Sequence, residues 1–181
     1  MKGLVFREFL SMVEKEYGYE IVDSIIELSQ VHSKGAYTRV GTYPHHEMFA
    51  LVEQLSKMVD VPEKRLLYLF GRFAFNSFRK GYPAFFEGKK SSFEIFTDVE
   101  GIIHVEVLKL YPEAELPTFE TNLVNNNEMT MVYRSSRKMG DFAEGLIAEC
   151  IQHFNEKANV EKKDLEQNGS VVLFTIRMMH E

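Results

Sequence analysis

The chain has 181 residues, of which 45% are hydrophobic and 27% charged, the proportions of a globular protein large enough to bury a substantial core. Its net charge of −6 argues against non-specific attraction to nucleic acid or anionic lipid. A single cysteine, Cys150, excludes an internal disulfide and points to a reducing compartment.

The simplest organisation is one domain over residues 1–181, because no linker, repeat or low-complexity tract interrupts the chain. The apolar start of the chain meets Arg7 and Glu8 too soon for a secretory signal. No run reaches the roughly 20 apolar residues of a membrane span. The expected location is the cytoplasm. Val5, Phe6, Phe9, Leu10, Met12, Val13 and Tyr17 recur at helical spacing, and Gly18 closes that segment. Ile21, Val22, Ile25, Ile26 and Leu28 predict a second helix. A loop follows from His32 to Pro44. His46 to Val59 is amphipathic, and Pro62 opens a longer helix ended by Gly81-Tyr82-Pro83. Ser91 or Ser92 caps a helix running to about Leu110.

After Pro112 and Pro117 the pattern changes to strands. Thr118 to Val124 and Glu128 to Tyr133 read as a hairpin turning at Asn125-Asn126-Asn127, since asparagine tolerates left-handed backbone. Asp141 to Lys157 reads as a helix. Asn159 to Gln167 and Ser170 to Met178 form a second hairpin through Asn168-Gly169. The fold class is α+β: a helical N-terminal part, then a mainly antiparallel sheet with one intervening helix.

Two features carry chemistry. Tyr133, Ser135 and Arg137 form Tyr-x-Ser-x-Arg at the end of an apolar run. On a strand all three would share one face. A phenol, a hydroxyl and a guanidinium would then converge as a receptor for carboxylates or phosphates. The bland alternative is cross-strand pairing on a sheet surface. Upstream, His104 lies in the apolar stretch Gly101 to Leu108. There it is either a satisfied helix-face histidine or one neutral imidazole offered to a metal. An imidazole combined with an anion receptor suggests a cofactor with an electrophilic centre and acidic arms, such as haem. The 15 Phe and 8 Tyr suit a wide apolar pocket or simply a Phe-rich core.

These residues also carry a family resemblance over essentially the whole chain. The Met1-Lys2-Gly3 start, Gly71-Arg72-Phe73, His104, Lys109-Leu110-Tyr111-Pro112, Leu116-Pro117 and Tyr133-Arg134-Ser135-Ser136-Arg137 resemble the H-NOX domain, the haem-nitric oxide/oxygen binding domain also found in soluble guanylate cyclases. The resemblance implies haem b (iron protoporphyrin IX) held between the helical part and the sheet, with His104 as the iron ligand. Tyr133, Ser135 and Arg137 would bind the haem propionates, and Pro117 would press on the porphyrin. Val5, Phe9, Ala74, Phe78, Phe142 and Leu146 would surround the distal pocket.

Oxygen-binding members of that family place a tyrosine at the position of Phe142, and a tryptophan and an asparagine near Phe9 and Ala74. All three positions are apolar here. The resemblance therefore implies a stand-alone sensor that binds nitric oxide and carbon monoxide without a stable oxygen complex. Nitric oxide would break the iron–His104 bond, and helix movement would be read by a histidine kinase or an enzyme making or degrading cyclic-di-GMP.

The residues by themselves leave two other readings open. One is an enzyme using His104 as general base and Arg137 with Ser135 for an anionic substrate; the sparse polar surroundings of His104 and the absence of the usual enzyme motifs argue against it. The other is a haem-free adaptor with an apolar pocket. Cys150 and His153, three apart on a helix, are too few for a structural zinc site, and His45-His46 reads as a capping or exposed pair. Asn168-Gly169-Ser170 matches a glycosylation acceptor, which has no meaning in the cytoplasm.

Overall fold

The computed structural model describes residues 1–166 and 169–179. Four helices come first: α1 (Gly3–Tyr17), α2 (Tyr19–Ser29), α3 (His46–Val59) and α4 (Glu63–Gly81). Their ends follow local chemistry. Gly18 takes φ 89° after α1, while Gln30 and Asp60 enter the left-handed region after α2 and α3. Pro62 stands at the N-cap of α4, where its missing N–H leaves no helical bond unmade. The apolar faces of these helices meet in one core built on Phe6, Phe9, Leu51, Leu55, Leu66 and Phe70.

The segment expected as one helix from Ser92 to Leu110 is broken. Ser91 caps α5 (Ser92–Asp98), its hydroxyl accepting from the Glu94 N–H. A π turn over Val99–Ile103 follows, and α6 (His104–Leu110) resumes the regular helix. The apolar residues run on through the break, so periodicity gave no sign of it.

Strands β1 (Thr118–Asn125), β2 (Glu128–Arg134), β3 (Ala158–Asp164) and β4 (Val171–Met178) form an antiparallel sheet in the order β1-β2-β4-β3. The β1–β2 turn is made differently from the expectation. No asparagine in it has positive φ; instead the Asn125 side-chain oxygen accepts from the Asn127 N–H at 2.8 Å, an Asx turn. The β3–β4 connection includes Gln167 and Asn168, which lie outside the described residues. Alternation along β2 turns Met129, Met131 and Tyr133 inward, opposite Ile176, Phe174 and Val172 of β4. That face forms a second core with Phe75, Ile95, Phe96, Ile147 and Cys150.

Helix α7 (Gly140–His153) stands between the two cores and ends four residues before the expected Lys157. Phe142 packs against the helical core and Ala143 with Ile147 against the sheet-side core, while Leu146 touches both. Its crossing with α4 is glycine on glycine: a Cβ at Gly71 would sit 2.1 Å from the Phe142 carbonyl oxygen, and one at Gly145 2.0 Å from that of Tyr68. Arg72 Nε (2.8 Å) and Asn76 Nδ2 (3.1 Å) donate to Glu149 and fix the rotation of the pair. The seam between the cores is thus spanned by one tightly held helix pair.

Candidate functional site

His104 is the first residue of α6, directly after the π turn. Its side chain is 14% exposed, half-buried rather than sealed in the core. Nδ1 is buried and makes no hydrogen bond among the described residues. Glu100 Oε2 lies 3.3 Å from it but outside hydrogen-bonding geometry. Burial lowers the imidazole pKa, with the Glu100 carboxylate opposing, so the ring is neutral at pH 7. That is the form that ligates metals. Glu100 also accepts from the Phe119 N–H at 2.8 Å, and the sequence reading missed it. Its signal was the i, i+4 spacing to His104.

Phe119 continues the site onto the sheet. Its ring lies 6.0 Å from that of His104 and 5.5 Å from that of Tyr133, because Phe119 and Tyr133 are register partners across β1 and β2. Pro117, half-buried, immediately precedes β1. A row of rings therefore runs from α6 over β1 to β2.

Only Tyr133 of the triplet sits on a strand face, so the alternation argument fails for the other two. β2 ends at Arg134, and Ser135 and Arg137 lie in the turn that leads to α7. The turn is closed by the Ser135 hydroxyl accepting from the Arg137 N–H (3.2 Å) and by Lys138 at φ 54°. Tyr133 is buried, and its oxygen accepts from the Met139 N–H at 3.0 Å. Burial raises its pKa, opposed by the Ser135 hydroxyl, the Met139 amide and the Arg137 charge. The three side chains are neighbours, although the turn rather than the strand gathers them. Arg137 Nη2 donates to Glu115 Oε2 at 3.1 Å. These bonds leave the Tyr133 hydroxyl hydrogen and the remaining Arg137 guanidinium N–H groups to donate, with the Ser135 hydroxyl beside them. The arrangement keeps donors for an anion.

Val5, Phe9, Ala74, Phe78, Phe142 and Leu146 all belong to the helical core. Phe9 and Ala74 are fully buried and the others partly so. Phe70 links two of them, at 5.3 Å from the Phe9 ring and 4.8 Å from that of Phe142. The set contains no side-chain hydrogen-bond donor. Two surface grooves, of about 430 and 500 Å³, are lined by none of these residues and lie apart from the site.

The Haem-NO-binding family model matches residues 2–162. The chain belongs to the H-NOX family. Among solved structures, the ferrous unliganded H-NOX protein from K. algicida is 39% identical with a TM-score of 0.94, covering 100% of this chain and 98% of that one. The H-NOX from Shewanella woodyi, in an Fe(II)CO state, is 37% identical with a TM-score of 0.82 over 98% and 94% of the two chains. An H-NOX protein from S. oneidensis, in an Fe(II)NO state, is 25% identical with a TM-score of 0.91 over 99% and 100%. No curated protein matches.

H-NOX domains bind haem and are sensor domains rather than an enzyme family. The residues here fit that group. His104 is a single imidazole whose Nδ1 has no hydrogen-bond partner among the described residues and whose burial favours the neutral form. No cluster of three or more His, Cys, Asp or Glu among the described residues could hold a metal ion, and a porphyrin brings its own equatorial ligands. Tyr133, Ser135 and Arg137 offer donors to carboxylates, as propionates require. Among the described residues no helix is long and apolar enough to cross a membrane.

Proposed function

We propose that this H-NOX domain, a single unit over residues 1–181, is a cytoplasmic nitric oxide sensor carrying haem b. His104 would hold the iron through Nε2, and Tyr133, Ser135 and Arg137 would receive the propionates. Pro117, directly before β1, would bear on the porphyrin from the sheet side. The bound haem would supply a ferrous centre able to take up diatomic gases.

The observation that carries the gas selectivity is the composition of the distal set. Val5, Phe9, Ala74, Phe78, Phe142 and Leu146 offer only carbon to a ligand. Oxygen needs a donor because it takes on negative charge when bound, and an apolar wall cannot stabilise that charge. Nitric oxide and carbon monoxide have no such requirement. The S. oneidensis and Shewanella woodyi relatives in their NO and CO states support these two gases as ligands.

Signalling follows from where His104 sits. It begins α6 immediately after a π turn, a local departure from α-helical bonding that recurs at functional sites. Loss of the His104 contact on nitric oxide binding would free α6, giving a two-state element biased by the ligand. A separate protein, a histidine kinase or an enzyme of cyclic-di-GMP synthesis or degradation, would read the change.

Exposing the ferrous protein to air tests the selectivity. The expected result is no lasting oxygenated spectrum, together with full spectral shifts on adding nitric oxide or carbon monoxide. Phe142→Tyr should lengthen any oxygenated spectrum by supplying a donor. A stable oxygenated spectrum in the unmodified protein overturns the reading.

A further inference from the structure

We propose that Glu100 is a positioning residue for His104, holding the imidazole through Nδ1 and tying that hold to the start of the sheet at Phe119. The proposal rests on His104 being the iron ligand. Glu100, His104 and Phe119 form a closed triangle of contacts. Glu100 Oε2 lies 3.3 Å from His104 Nδ1. The same oxygen accepts from the Phe119 N–H at 2.8 Å. The Phe119 ring packs 6.0 Å from the imidazole. Phe119 therefore touches His104 directly through its ring and indirectly through Glu100.

The chemistry of the ring explains the need. An imidazole bound to metal by Nε2 carries its hydrogen on Nδ1, and that N–H requires an acceptor to fix the tautomer and the ring plane. His104 Nδ1 is buried and lacks one among the described residues, while Glu100 Oε2 stands 3.3 Å away, within reach after a small ring rotation. A carboxylate acceptor also draws on the N–H and makes the other nitrogen a firmer ligand. The π turn supplies the local geometry, because Glu100 and His104 flank its last residues and the His104 N–H bonds back to the Val99 carbonyl. The Phe119 amide meanwhile prevents the carboxylate from swinging into solvent, although its side chain is 46% exposed.

Glu100→Gln and Glu100→Ala in the haem-loaded protein test this. Glutamine keeps an oxygen for the Phe119 N–H and removes the charge, whereas alanine removes both. The iron–histidine stretching band of the ferrous protein should fall in frequency in both variants, and haem transfer to an acceptor globin should quicken about 10-fold. Amide exchange at Phe119, followed in the carbon monoxide form, should rise in Glu100→Ala alone. An iron–histidine band unmoved in both variants, with unchanged haem transfer, overturns the role of Glu100. A wild-type protein without any iron–histidine band, whose spectrum survives His104→Gly, overturns the assignment of His104 itself and the role of Glu100 with it.

Discussion

Tyr133 and Met139 belong to different cores, and a 3.0 Å hydrogen bond from the Met139 N–H to the Tyr133 oxygen joins them. The bond crosses the seam where the haem edge is proposed to lie. Tyr133→Phe keeps the ring packed against Phe119 but leaves the Met139 N–H without its acceptor. Losing one partner of such a buried bond costs about 1–3 kcal/mol. The expected outcome is a drop of that size in denaturation free energy, with haem held less tightly because one proposed propionate donor is gone. Unchanged stability would show that the bond contributes nothing to joining the cores.

Arg137 and Glu115 should behave unequally although they are bonded to each other. The Glu115 side chain is 82% exposed and that of Arg137 only 14%, so their pair contributes at most about 1 kcal/mol. Glu115→Gln should leave haem retention nearly unchanged. Arg137→Ala would remove the charged hydrogen bonds proposed to a propionate, worth about 1.5–3 kcal/mol each, and should accelerate haem loss correspondingly. Competition with an acceptor globin measures both.

The α4–α7 crossing leaves no room for a side chain. A Cβ at Gly145 would lie 2.0 Å from a backbone oxygen, which cannot rotate away as a side chain could. Gly145→Ala should push the helices apart and destabilise the protein by at least about 1–3 kcal/mol, the usual cost of overpacking. Thermal unfolding reads the loss. Because Phe142 and Leu146 ride on α7, the same variant should also alter the carbon monoxide spectrum of the distal side.

The helical half was legible because its chemistry is local. Periodic apolar residues, Gly18, Pro62 and the Ser91 cap each act within one or two turns, and each stands where the sequence implied. His104 and the triplet were legible as residue types. Their settings were less so. The π turn before His104 has no sequence signal, since Val99 to Ile103 continue an ordinary helical pattern. Alternation would have placed Ser135 and Arg137 beside Tyr133 only on a strand running past Tyr133, and pairing in β2 stops at Arg134. Glu100 was overlooked because its second contact, the Phe119 amide, lies 19 residues away. Glu115 was hidden for the same reason, since Arg137 lies 22 residues on, and Met139 because its bond to Tyr133 depends on the turn between them.

The absorption spectrum of His104→Ala beside that of the wild type tests the central claim most directly. The account predicts a coloured wild-type protein with a strong Soret band, loss of that band in His104→Ala, and its return when imidazole is supplied. A colourless wild-type protein that takes up no haem stoichiometrically, or a variant whose Soret band is unchanged, would contradict it.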